Sequence, residues 1–394
     1  MLSIKIAEEE LGLEIIRNDG NDRPSQSPRH RIIHCGRDKF NHSTNQDKNI
    51  VSLIFHGGGD FLDNVSSSYW KSFEILSLLD MEDFGVKTLS ETISTLMELR
   101  YLGLRNNYIQ EIPHSFGGLK KLEVFDIALN FLVEVPDIIK EMVSLNHLYM
   151  SDVICPNPLK VDFSQNLETL TYISINDWTY EVIRLKWMSR LRKLGIEEID
   201  ENSVVSNLFP SLSKLENFRH LTLRGFRFRS MAYLDEIGVL DNLYKLRLDG
   251  RLARLPRALK SLKKLLYLVL VNTCLDEDPM QLLKKLRYLR GLKLQNAYTG
   301  SRMVIEEDKL QYLEILRINE LWNMSCFTVG KRGICRLEEL EIKNCPRLET
   351  LPEQIGSIFK MRKLKMVTTK RIATKIRNSS FISNTTIMEV DISP

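Results

Sequence analysis

The sequence predicts an α/β solenoid of about fourteen short repeats, a horseshoe with a parallel sheet on its concave face and irregular or short helical segments on its convex face. Three observations predict it. Leu99-x-x-Leu102-x-Leu104-x-x-Asn107 returns as Leu122-x-x-Phe125-x-Ile127-x-x-Asn130. Between the copies, Pro113, Phe116, Leu119, Leu122 and Phe125 fall at every third position. Period three suits neither an amphipathic helix nor a strand, but it suits a tight 3₁₀-like turn feeding a strand. The same rule holds at Pro256, Leu259, Leu262, Leu265, Leu268 and Leu270, and at Pro352, Ile355, Ile358, Met361, Leu364 and Met366. Ser90, Ile93, Leu96, Leu99, Leu102 and Leu104 obey it with serine in place of proline. Finally, the first apolar residue of each strand core recurs at Leu53, Leu76, Leu102, Phe125, Leu148, Ile173, Leu194, Leu221, Leu246, Leu268, Leu292, Leu316, Leu340 and Leu364. The shortest step is 21 residues (Ile173 to Leu194) and the longest 27 (Leu194 to Leu221).

This is the leucine-rich-repeat consensus. Alternate strand side chains face opposite ways, so the paired apolar residues turn inward. Leu102 with Leu104, Phe125 with Ile127, Leu268 with Leu270 and Leu340 with Ile342 form the expected repeat core. One repeat cannot bury them alone, so stability comes from stacking neighbours. The asparagines have a separate task. A side-chain amide both donates and accepts, so Asn107 and Asn130 can satisfy backbone groups left open as the chain leaves its strand. Cys345 occupies the same repeat position and is expected to be structural.

Residues 1–28 precede the repeats. Residues 1–16 suggest one amphipathic helix, with Leu2, Ile6 and Leu13 on one side, and 17–29 (RNDGNDRPSQSPR) a polar linker. That helix would cap the first repeat or end a preceding domain. The repeat domain then covers 29–394. RHRIIHC (29–35) and IVSLIF (50–55) open it, HGGGDFLDNVSSS (56–68) is a loop, and TIMEVDI, with its core starting at Met388, is the closing strand.

Composition narrows the partners. The chain has 55 basic and 51 acidic residues, a net charge of +4, so nucleic acid is not expected. No apolar run is long enough to span a membrane. The acidic N-terminus, MLSIKIAEEELGLEII, lacks the apolar centre of a secretory signal. Six cysteines without a C-x-x-C pair suit reduced thiols in the cytoplasm. Five N-x-S/T sequons, at Asn41, Asn64, Asn323, Asn378 and Asn384, are then incidental.

Charge is uneven along the chain. Residues 184–264 carry 18 basic and 9 acidic residues, and KMRKLKMVTTKRIATKIR (360–377) has eight basic residues and no acid. Residues between and beside the core pairs face outward on the concave sheet. Tyr149, Tyr172, Arg224, Arg247, Tyr267, Lys293 and Arg317 are the candidate protein-binding residues, because aromatics and arginine dominate interface hot spots. The later repeats, Phe218 to Lys365, should attract an acidic protein surface. No catalytic, metal or cofactor residue is expected. Gly57–Gly59 and Gly330-Lys331-Arg332-Gly333 lack the G-K-[S/T] of a phosphate loop, and His30, His34, Cys35 and His42 fit no common zinc spacing. No G-x-S-x-G occurs, so an enzyme is a poor fit.

IKNCPRLETLP (342–352) resembles the C-terminal repeats of plant nucleotide-binding, leucine-rich-repeat (NLR) disease-resistance proteins of the coiled-coil type. RHRIIH (29–34) resembles the strand that opens their repeat region, and Met1–Ile16 the helix that ends their nucleotide-binding module. The sequence has no phosphate loop and no Met-His-Asp motif, so the resemblance implies the repeat domain without the nucleotide switch. Its implied partner is a pathogen effector, a host guard protein or an intramolecular nucleotide-binding module, which it would restrain where one is present. The alternatives are an extracellular receptor ectodomain and an intracellular repeat scaffold such as a ubiquitin-ligase adaptor. Oligomeric state is left open.

Overall fold

The structure is a computed structural model that describes residues 13–17, 28–34, 47–57, 67–131, 133–153, 166–176, 188–226, 228–358, 360–377 and 389–393. Contacts divide the chain into two compact units, 1–173 with 183–193 and 174–182 with 194–394. Both are built from the predicted repeats.

The first unit runs β1 (Leu13–Arg17), β2 (His30–His34), β3 (Ser52–His56), β4 (Leu78–Asp80), β5 (Tyr101–Gly103), β6 (Val124–Asp126), β7 (His147–Tyr149) and β8 (Thr169–Ser174). Each pairs in parallel with the next. Leu53, Leu79, Leu102, Phe125, Leu148 and Leu170 share one register row and are buried. Two sequence frames need correction. Leu76 is not the strand-core residue; it stands where Leu99 stands in the next repeat, and Leu79 takes the row. Ile173 likewise yields to Leu170. It is buried nonetheless, because Tyr172 at φ +64° resets the alternation of β8. The helix expected over 1–16 is also corrected where it is described, since Leu13–Arg17 is a strand. Its pairing with β2 explains why: a repeat edge offers open backbone groups that a free helix would leave unmet.

Glu14 and Arg31 pair across β1 and β2 in the row that Leu53 continues. Arg31 Nε donates to Glu14 Oε2 at 2.7 Å, with both side chains 7% exposed. The first rungs thus carry a buried ion pair where later rungs carry leucine.

The second unit contains β9 (Lys193–Ile199, from Leu194), β10 (His220–Gly225), β11 (Lys245–Asp249), β12 (Tyr267–Val271), β13 (Gly291–Gln295), β14 (Arg302–Ile305), β15 (Ile315–Asn319), β16 (Cys326–Val329), β17 (Glu339–Lys343), β18 (Lys363–Val367) and β19 (Glu389–Ser393). The parallel order is β9-β10-β11-β12-β13-β15-β17-β18-β19. Leu221, Leu246, Leu268, Leu292, Leu316, Leu340 and Leu364 share a row as the sequence frame requires. The closing strand is present, but Val390 rather than Met388 meets Leu364. β14 and β16 form a separate two-stranded parallel sheet on the return segments, where Met303, Ile305, Phe327 and Val329 are buried.

The period-three segments are 3₁₀ turns. Pro113, Pro256 and Pro352 stand at the N-caps of turns His114–Gly118, Arg257–Ser261 and Glu353–Ser357. Ser90 caps Glu91–Thr95, its hydroxyl accepting from the Thr92 N–H. Proline suits this place because its φ is preset and it has no N–H to satisfy.

A second ladder lies beside the asparagine positions. Asp83, Asn106, Leu129, Asp152, Asn272, Asn296, Glu320 and Asn344 all adopt positive φ, and Gly250 does so at the matching position. Most extend the ladder by donating an N–H to the next repeat, as Asn106 does to Ala128 O and Asn296 to Asn319 O (2.9 and 3.0 Å). Asn and Asp tolerate this left-handed region better than leucine does. Leu129→Asn should therefore stabilise the first unit by up to about 1 kcal/mol, since Leu129 is already exposed. Urea denaturation checks it; an unchanged or lower midpoint would refute the strain.

Candidate protein-binding face

Strand alternation sorts the outward residues into register rows. In the second unit the central row runs Thr222, Arg247, Val269, Lys293, Arg317, Glu341 and Lys365. The row at the strand starts contains His220, Lys245, Tyr267 and Gly291. The row two residues beyond the centre contains Arg224, Asp249, Val271 and Gln295. The sequence-predicted residues thus do not form one column. Arg247, Lys293 and Arg317 come together in the central row, while Tyr267 and Arg224 flank it on opposite sides.

Tyr267 has a prepared seat. A Cβ at Gly291 would lie 2.5 Å from Tyr267 Cδ1, so only glycine lets the ring lie across the neighbouring strand. Tyr244 packs on it with ring centroids 5.5 Å apart, and His220 follows Tyr244 at 6.1 Å. Burial, then the neighbouring Tyr244 and Glu314, push the Tyr267 phenol up from its ordinary value. The ring remains half-buried, an amphipathic anchor with its side-chain entropy already spent.

The cations are less free than the sequence suggests. Arg247 Nη2 donates to Asp249 Oδ2 at 2.5 Å, and Arg224 lies 3.7 Å from Glu197 and 4.0 Å from Asp249. Arg317 stands 3.6 Å from Glu339, and Lys343 is 2.9 Å from Glu341. This face is therefore charge-mixed, because carboxylates on adjoining positions meet the arginines. Lys293 is the exception in kind. Burial, then Arg247 and Arg317, lower its pKa from the ordinary value, a sign of like charge only partly compensated. The Arg247 Nε is buried without a hydrogen-bond partner.

In the first unit Tyr149 shares a row with Asp80, Gly103 and Asp126. Lys193 sits over its ring at 5.7 Å, and burial, then Asp126, raise its phenol pKa. The Tyr101 ring crowds the place a Gly103 Cβ would take, and its phenol is pushed up to about 12 by burial and by Asp80, Asp126 and Glu82. Arg105 Nε donates to Asp126 at 3.1 Å. Tyr172 does not lie between a core pair, since Thr171 holds the central row; its left-handed backbone leaves it half-buried beside that row. Gly103 and Gly291 were missed as site residues. The signal was a glycine where neighbouring repeats carry a larger side chain, but which ring it admits depends on cross-strand register.

The ladder residues occupy a layer behind this face. Asn107 Oδ1 accepts from the Phe84, Gly85 and Val86 N–H groups at 2.8–3.2 Å, and Nδ2 donates to the Met81, Leu104 and Arg105 carbonyls at 2.8–3.1 Å. Asn130 accepts from Ile109 N and donates to Leu104, Ile127 and Ala128. Cys345 donates its thiol to Lys343 O at 3.4 Å, and burial pushes it up to about 11. The folded protein holds that proton more tightly than the unfolded chain, whose thiol titrates near 9. This contribution to stability is present below pH 9 and is lost between about 9 and 11. At pH 8 iodoacetamide should label exposed Cys335 and spare Cys345; rapid labelling of Cys345 in the native protein would show the site is open.

The described cysteines Cys274, Cys326, Cys335 and Cys345 are all free. Among the described residues, no group of three or more His, Cys, Asp or Glu could hold a metal. His30 Nδ1 lies 2.7 Å from Ser52 Oγ, and the His34 and His56 rings meet edge to face; Cys35 and His42 lie outside the described residues. No helix among them is long and apolar enough to cross a membrane.

The family model described as "Leucine-rich repeat region" matches residues 61–380. The chain is 29% identical over 359 residues to Disease resistance RPP8-like protein 3 of Arabidopsis thaliana, covering 88% of this chain and 39% of that protein. It is 30% identical over 316 residues to Probable disease resistance protein RF9 of the same plant, covering 77% and 29%. The chain thus spans about two fifths or less of these curated relatives. Among solved structures, a leucine-rich-repeat protein of Leptospira interrogans aligns with TM-score 0.55 at 21% identity, over 89% of this chain and 86% of that one. A chain of the Drosophila Toll–Spatzle complex aligns with TM-score 0.57 at 17% identity, over 93% and 51%. At these identities the structural likeness speaks for the fold.

Proposed function

We propose, from the premise that this chain belongs to the leucine-rich repeat region family, that it serves as the repeat domain of a plant disease-resistance receptor and recognises a protein through its second-unit sheet face, from Phe218 to Lys365. The disease-resistance relatives support the receptor assignment. The partner is a pathogen effector, a host guard protein or the receptor's own nucleotide-binding module, which the repeats would restrain. This reading places the chain in the cytoplasm and gives it no chemistry of its own.

The observation that carries the surface is the central cation row beside the seated Tyr267. Arg317 adjoins Lys293 in register, and Arg247 stands in the same row across Val269. A partner carboxylate placed there would relieve like-charge repulsion, while Tyr267 supplies packed area. Charge complementarity acts mainly on encounter and packing on release. Neighbouring strands are about 4.8 Å apart, so the face spans the width of a standard interface.

A photo-crosslinking residue at Tyr267 should capture a partner in pathogen-challenged leaf tissue, and one at exposed Lys214 should not. Arg247→Glu with Lys293→Glu should weaken that capture and slow association, whereas Tyr267→Ala should speed dissociation by about tenfold. Equal capture from both positions, or capture indifferent to the charge reversal, would place recognition elsewhere.

A further inference from the structure

Several cations without ion-pair partners among the described residues stand together on return segments between strands. Two clefts lie there on neighbouring repeats of the second unit. One, of about 310 Å³, is lined by Arg257 and Lys260 from the 3₁₀ turn Arg257–Ser261 and by Lys285 just past the helix Met280–Leu283. The other, of about 540 Å³, is lined by Lys285, Arg287 and Lys309. Lys285 borders both, so the clefts adjoin. Their volumes fall in the range of ligand-binding pockets.

Two other cations at these clefts are neutralised. Arg254 forks onto Asp235, and Lys284 lies 2.8 Å from Glu306. Asp308 in the second cleft is held by Arg332 at 3.0 Å. By contrast, no carboxylate of the described residues lies within ion-pair distance of Lys260, Lys285, Arg287 or Lys309. This differs from the sheet face, where Arg224, Arg247, Arg317 and Lys343 all have acids beside them.

The linings also contain apolar surface. Leu255, Leu275, Pro279 and Leu282 border the first cleft, and Leu310 and Tyr312 border the second. A compact polyphosphate would find no use for these groups, and it would meet Glu277 and Asp278 in the first cleft. A peptide carries acidic and apolar side chains together, and its N–H groups can donate to those carboxylates.

We propose that the adjoining clefts bind an acidic, leucine- or phenylalanine-containing segment of another protein in extended form, its carboxylates meeting Lys260, Lys285, Arg287 and Lys309. This surface is separate from the sheet face, so either reading can fail alone. Cations are not interchangeable here by mere number. Among the described residues none of the four is held in an ion pair, so an incoming carboxylate has no internal partner to displace there.

The probe is a fluorescein-labelled peptide of about twelve residues, Asp-Glu-Leu repeated, whose binding to the full chain is read by anisotropy. Lys285→Glu with Lys309→Glu should weaken binding by at least tenfold. Arg190→Glu with Lys214→Glu makes the same change in net charge on exposed residues outside the clefts, and should change it by less than about twofold. Replacing the peptide leucines by serine should also weaken it severalfold. Each of three outcomes would overturn the proposal: equal losses in the two double variants, indifference to the leucines, or full displacement by inorganic tripolyphosphate at equal concentration. The first would mean non-specific attraction, and the last two a site for bare anionic charge. Circular dichroism of each variant establishes that the fold is retained before binding is compared.

Discussion

Asn107→Ala should lower the unfolding free energy by about 3–5 kcal/mol, a large effect for a side chain that touches no ligand. One amide serves three N–H donors, of Phe84, Gly85 and Val86, and three carbonyls, of Met81, Leu104 and Arg105. Alanine takes that partner from the Gly85 and Val86 N–H groups and from Met81 O, whereas Leu104 O keeps the Asn130 amide and Arg105 O keeps the Asp83 N–H; each orphan costs roughly 1–3 kcal/mol unless water reaches it. The bonds cross from one repeat to the one before, so damage should spread to both neighbours. Asn107→Asp keeps the acceptor for the three N–H groups but loses the donor, and should fall between alanine and the native residue. Urea denaturation with hydrogen exchange on the Phe84–Val86 amides reads both effects. A loss below about 1 kcal/mol, with these amides still protected, would show that water replaces the side chain.

Arg31→Ala should cost about 3–5 kcal/mol by leaving Glu14 charged and buried without its partner. The pair occupies the row of Leu53 and Leu79, where apolar side chains are the ordinary occupants. Desolvating two charges offsets much of their attraction, so Arg31→Leu combined with Glu14→Leu should recover most of the loss or exceed native stability. A double variant as unstable as the single one would mean that the pair does more than fill a core position, for instance by fixing the register of β1 against β2. Chemical denaturation of the three variants decides between these outcomes.

Much of the fold is legible because repetition amplifies weak local signals. A single L-x-x-L-x-L could occur by chance. The same spacing behind Ser90, Pro113, Pro256 and Pro352 could not, and each of these residues heads a 3₁₀ turn. The frame slipped at Leu76 and Ile173, where apolar residues lie three apart and two registers fit the same letters. Stacking chose between them, since only one aligns Leu79 and Leu170 with the leucines on either side. The helix expected over 1–16 gives way to a strand at its described end, Leu13 onward, for a related reason. Local pattern does not reveal that an open sheet edge stands next to Leu13–Arg17.

Sequence by itself determined the repeat, most of its strand-core leucines and the asparagine ladder, because these depend on residue spacing within about thirty positions. It also marked Tyr267, Arg247, Lys293 and Arg317 as outward-facing, since alternation along a strand is a local property. Tertiary structure alone decided how those residues interact. Gly291 seats Tyr267, Asp249 and Glu339 neutralise sheet arginines, and among the described residues Lys260, Lys285, Arg287 and Lys309 form no ion pair. These facts follow from which residues stand side by side on neighbouring repeats. Those neighbours are far apart along the chain and come side by side only when the core rows stack, so charge balance across strands is set by the register and not by any one strand's pattern.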